Sequence, residues 1–144
     1  WWWENDSQSN NRWLDDISDT VTNRQWPCPV GYHVPSAWEW SMLIKYWRDT
    51  YATWIQLYSS YGLYYIDNRV ARNNFVNYFR LPSAGIRKES DASVDYQESF
   101  GFYRSSSLNN SSAWSFCLRP TLVSVAEICG SDRAVGRSVR CFKN

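Results

Sequence analysis

Large apolar residues recur along this chain in two rhythms. After the run "PCPVGYHVP", where Pro27, Pro29, Gly31 and Pro35 stiffen an irregular path, Trp40, Leu43, Ile44 and Trp47 fall at i, i+3, i+4 and i+7. That spacing makes one apolar helical face. Ser36 as N-cap and Glu39 three residues on form a capping box, so a helix is predicted from about 37 to 48. Trp54, Leu57, Tyr58 and Tyr61 repeat the spacing, and Gly62 is placed to cap a second helix. A further helix is predicted within "IDNRVARNNFVNYF", with Ala71, Phe75, Tyr78 and Phe79 on one side, and it must stop near Pro82.

From Leu81 the rhythm changes. Short apolar segments separated by Ser, Gly and Asn predict strands at "RLPSAGIR", "FGFYRSS", "SAWSFCL", "LVSVAE" and "RSVRCF". The run "SSSLNNSS" reads as a loop by composition. Helices first and strands second give an α+β class: two or three helices on a small, twisted, mostly antiparallel sheet with long loops. Within "WSFCLR", Trp114, Phe116 and Leu118 alternate with Ser115, Cys117 and Arg119, which share no chemistry. One strand face is regular and the other is arbitrary.

The totals narrow the class. With 144 residues the chain suits one domain. Residues 1–25 are polar with scattered Trp and read as a lead-in, and the domain proper begins near residue 26. The chain starts at Trp1 without Met, which reads as a mature form or an excised fragment, so any signal peptide is invisible. Fifteen basic and 14 acidic residues balance, which argues against a nucleic-acid partner. No apolar run is long enough to span a bilayer. Ten Trp and ten Tyr suit either a core of large rings or a contact surface. Four cysteines, Cys28, Cys117, Cys129 and Cys141, allow three connectivities, none of them singled out by spacing. No CxxC pair is present and His33 is the single histidine, so neither a zinc site nor any other cofactor is called for.

Three motifs stand in order: "CPVGYHVPSAWEW", "LPSAGIR" and "FGFYRSSS…SAW…GRSVRCFKN". Together they resemble the Fibrobacter succinogenes major paralogous domain family and the related variable proteins of diversity-generating retroelements. The resemblance covers about residues 26 to 144. Arg104 stands where the family usually has Trp, and Tyr32 where Trp is frequent. The stretch between the first helix and Leu81 matches poorly.

The resemblance implies a C-type lectin-like fold with its ends close together and a ligand face on its last strands. It implies a C-terminal segment, about 101–141, diversified by adenine-directed mutagenesis, in which Asn codons change to many other residues but not to Trp, Gln, Met, Lys or Glu. Between Arg104 and Arg137 there is no Lys, Gln or Met. On this reading Trp114, Phe116 and Leu118 face the core, while Ser115, Cys117 and Arg119 face out, where substitutions cost only ~0.5 kcal/mol. The ligand-contacting candidates are Arg104, Ser115, Cys117 and Arg119. Ser124, Ala126, Ile128, Gly130, Ser131, Asp132 and Val135 complete the set. The implied partner is a macromolecule, most simply a protein, and the implied setting is extracellular or the cell surface. The oligomeric state is left open.

The resemblance also lets Cys28 and Cys141 meet as a disulfide, the alternative being two buried thiols. Cys117 and Cys129 either pair across the face or stay free. The same superfamily includes formylglycine-generating enzymes, so a cysteine-based oxidase is the enzymatic alternative to a binding module. His33 has no nucleophile or orienting acid beside it in sequence and reads as structural. No Asp-rich loop suggests calcium. A member of the same family that is not diversified, fixed as a surface or adhesion module, is the remaining alternative.

Overall fold

The computed structural model describes residues 27–60, 62–109, 112–118, 126–132 and 134–144. The expected lead-in over 1–25 lies outside the described residues. The chain is α+β, with two described helices packed on small antiparallel sheets.

Strand β1 (Tyr32–His33) leads into helix α1 (Ala37–Tyr51). Its start is set by the capping box: the Ser36 hydroxyl accepts from the Glu39 N–H at 3.1 Å, and the Glu39 carboxylate accepts from the Ser36 N–H at 2.7 Å. Trp40, Ser41, Ile44 and Trp47 form the buried stripe of α1.

The next segment departs from the helical expectation. Strands β2 (Leu57–Ser60) and β3 (Leu63–Ile66) form an antiparallel hairpin. Gly62 sits in its turn at φ +75°, a conformation open to glycine. Tyr58 stacks on Tyr65 across the strands at 5.3 Å. The helical spacing of Trp54, Leu57 and Tyr58 is thus coincidental, and cross-strand pairing overrides it. Helix α2 (Arg69–Phe79) follows, with Asn68 as N-cap and Arg80 closing it in the left-handed region at φ 51°. Ala71 and Phe75 are buried, whereas Tyr78 is exposed and bonds to Tyr51 through their hydroxyls at 2.9 Å.

Strands β4 (Ile86–Arg87) and β5 (Val94–Asp95) make a small hairpin. Gly85 is obligatory there, since a Cβ would lie 2.1 Å from the Asp95 carbonyl oxygen. Strands β6 (Gly101–Asn109), β7 (Ser112–Leu118) and β8 (Ala126–Ser131) are long. The serine run expected as a loop therefore lies largely in strands. Two of its hydroxyls accept backbone bonds: Ser107 Oγ from the Ala37 N–H at 3.0 Å, and Ser105 Oγ from the Ser107 N–H at 3.2 Å. The five-stranded sheet runs β2-β3-β8-β7-β6. Strand β9 (Phe142–Lys143) pairs with β1, and beside them Cys28 and Cys141 form a disulfide with Cα atoms 5.7 Å apart.

Both helices cover one face of the sheet. Phe116 is fully buried and stacks on Trp40 at 4.6 Å, and Phe75 meets it edge-on at 5.8 Å. Tyr103 tilts against Trp40 at 5.8 Å and donates its hydroxyl to the Pro82 carbonyl at 2.5 Å. Each such apolar side chain contributes about 1.5–3 kcal/mol on burial.

Candidate functional site

The alternation in "WSFCLR" sets the two faces of the C-terminal sheet. Phe116 and Leu118 lie in the core. On the other face, Phe102 is registered with Cys117 and then Glu127, and Arg104 with Ser115 and then Cys129. Cys117 and Cys129 are diagonal neighbours on adjacent strands and form a second disulfide, with Cα atoms 6.1 Å apart.

This face is not open to solvent, which corrects the expectation that Ser115 and Cys117 point outward. Arg104 is 8% exposed, and Ser115 and Cys117 are 0% exposed. Over Arg104 and Cys117 the cover is the segment 134–138, which runs along the free edge of β6. The Arg104 N–H donates to the Ser138 carbonyl at 2.8 Å, and the Ser138 N–H to the Phe102 carbonyl at 3.1 Å. Gly136 exchanges two 2.8 Å bonds with Arg87. From this segment Arg137 reaches back across the sheet. Its Nη1 lies 3.6 Å from the sulfurs of both Cys117 and Cys129, and its guanidinium sits 4.9 Å from the Phe102 ring centroid. Arg104 Nη2 donates to the Val135 carbonyl. Burial pulls the Arg104 guanidinium below its ordinary range. The Ser115 hydroxyl is buried and has no hydrogen-bond partner among the described residues.

The remaining candidates divide three ways. Arg119 and Ser124 lie outside the described residues. Ile128 is registered with Phe116 and packs against the core, and Gly130 is registered with Trp114. Ala126 is registered with Leu118 and with Ile66. For Ile128 this is a one-residue correction of register: it lies on the core side, and its neighbour Cys129 shares the other face with Ser115. Of the other candidates, Ser131 is registered with Ala113, Gly130 and Asp132 are exposed, and Val135 is half-buried. Sequence reasoning left Arg137 and Phe102 out of the face. The sole signal for Arg137 was its place in the closing motif.

His33 is tied at both ring nitrogens. Nε2 lies 2.7 Å from Glu39 Oε1, and Nδ1 lies 2.7 Å from the Asn144 side-chain oxygen. It is 4% exposed and joins β1, the start of α1 and the last residue of the chain. Among the described residues no group of three or more His, Cys, Asp or Glu side chains is placed to hold a metal. No described helix is long and apolar enough to cross a membrane.

No family model, curated protein or solved structure matches this chain.

Proposed function

We propose that this chain is a ligand-binding variable protein of a diversity-generating retroelement, built on a C-type lectin-like fold and displaying its diversified residues from the segment 101–141. The carrying observation is the division of labour across β7. Its core face is filled by Phe116 and Leu118, each 0% exposed. Its other face holds a serine hydroxyl without a partner and a cysteine bonded to the next strand. Buried hydroxyls are ordinarily hydrogen-bonded, so Ser115 is not a residue chosen for stability. Replacement at adenine-bearing codons leaves such residues behind.

The rest of the architecture supports the same reading. The β1–β9 pair and the Cys28–Cys141 bond bring residues 28–33 beside 141–144, as a C-type lectin-like fold requires. Gly130 and Asp132 are exposed and offer contact surface. Arg119 and Ser124 remain candidates through their place in the sequence of the segment 101–141 alone. A rigid scaffold carrying changeable side chains suits a macromolecular ligand, most simply a protein. Two disulfides favour an extracellular or cell-surface setting.

The test is to sequence the 3′ part of the gene across a population of cells. Substitutions gathered within codons 101–141, sparing Tyr103, Phe116 and Leu118, are the expected result. A uniform sequence overturns the reading. It would favour a second one, a fixed surface or adhesion module of the same family. The observation behind that reading is the burial of Arg104, Ser115 and Cys117, since none of the three meets a ligand as the fold stands.

A further inference from the structure

The two sulfurs of the Cys117–Cys129 bond are not equivalent. Cys117 is 0% exposed, whereas Cys129, one strand closer to the hairpin β2–β3, is half-buried. The Arg137 guanidinium reaches both sulfurs, with Nη1 at 3.6 Å from each. Thiol–disulfide exchange depends on which sulfur an incoming thiolate can reach and on how well the other is stabilised as it leaves. A fixed positive charge beside a sulfur favours its thiolate. Access distinguishes the two sulfurs, and the charge stands beside whichever of them leaves.

We propose that Cys129 is a site of covalent exchange with small thiols, with Cys117 as the leaving group held by Arg137. An external thiolate attacks Cys129 Sγ, a new S–S bond forms between them, and the Cys117–Cys129 bond breaks. The electron pair of the broken bond stays on Cys117 as a thiolate facing the guanidinium. A second external thiolate attacks the added sulfur of the mixed disulfide, releasing the oxidised small thiol and leaving Cys129 reduced. Two monothiols are oxidised and one protein disulfide is reduced. Arg137 is a positioning residue for this step. The inference stands apart from the ligand-binding reading, which does not depend on which sulfur is attacked or on Arg137.

The experiment incubates the oxidised full chain with a limiting amount of reduced glutathione at neutral pH. The reaction is quenched with acid, unfolded, and alkylated, and the peptides are mapped by mass spectrometry. The expected first product carries glutathione on Cys129 and the alkyl group on Cys117. Arg137→Gln slows the first step about three- to tenfold, as a leaving thiol less well stabilised should, and Arg137→Lys restores most of the rate. Glutathione on Cys117 or split evenly between the two overturns the proposal. So does an unchanged rate in Arg137→Gln, or finding both cysteines free in chain purified under oxidising conditions. Should Arg137→Gln fail to fold, the position of the adduct on the unsubstituted chain decides alone.

Discussion

Replacing Phe116 with Ala tests the face assignment that every other claim depends on. Phe116 is fully buried, stacked at 4.6 Å on Trp40 and met edge-on by Phe75 at 5.8 Å. Truncating such a ring removes its transfer free energy and leaves a cavity bounded by the rigid Trp40 indole, so the cost is about 3–5 kcal/mol. For a chain of 144 residues the unfolding entropy is roughly 0.3 kcal/mol per kelvin, so the melting temperature should fall by about 10–17 °C. The control is Phe102→Ala on the opposite face. Phe102 is half-buried, stacked on Phe100 at 5.9 Å and capped by Arg137. Its loss should cost about 1 kcal/mol and a few kelvin. The assay is thermal unfolding followed by near-ultraviolet circular dichroism, which reads the packed Trp and Tyr rings directly. Equal losses from the two variants, or a larger loss from Phe102→Ala, would refute the assignment of faces.

Other perturbations follow from the same contacts. Removing the Cys28–Cys141 bond as the double Ala variant frees two residues 113 positions apart and should cost about 5 kcal/mol in the chain-entropy account, read as a lower denaturant midpoint. Ser115→Ala deletes a buried hydroxyl that has no partner, so it should leave stability unchanged or raise it by up to about 1 kcal/mol; a clear loss in the same denaturant assay would show that the hydroxyl is satisfied in solution. Ser36→Ala breaks the capping box and should lower stability by about 1 kcal/mol. Burial pushes the Tyr103 hydroxyl up to about 12 from its ordinary 10. The folded state therefore holds this proton longer than the unfolded state, and the associated stability is complete below pH 10 and lost as pH rises from 10 to 12. Tyr103→Phe should flatten that part of the fall in stability, measured by denaturant titrations at stepped pH; an unchanged slope would contradict the burial of that hydroxyl.

Local signals in the sequence survived in the fold, and long-range ones did not. The start of α1 was legible because its cap is a four-residue device, Ser36 to Glu39. The helix ends at Tyr51, three residues beyond the predicted limit, because Ala52 rather than a sequence-marked residue closes it. The hairpin at 57–66 was misread because aromatic residues at helical spacing also suit a strand pair, and the stack of Tyr58 on Tyr65 is visible in three dimensions alone. On β7 the core face was legible from alternation. The fate of its other face was not, since Cys117 is covered by Arg137, twenty residues on, and the registered Arg104 by Ser138 and Val135. Strand β8 carries no alternation of its own in "AEICGS". Its register is dictated by β7, which is why Ile128 was assigned to the wrong side.

The central claim is that variation was written into the C-terminal segment by reverse transcription. It is tested most directly by sequencing the DNA that flanks this gene. The account predicts a reverse transcriptase gene and a near-copy of the 3′ end, differing from it only at adenines in the copy. The altered codons should fall within 101–141 and spare those for Tyr103, Phe116 and Leu118. Flanking DNA with neither would contradict the account and leave the partnerless Ser115 and the bonded Cys117 as fixed features of a surface domain.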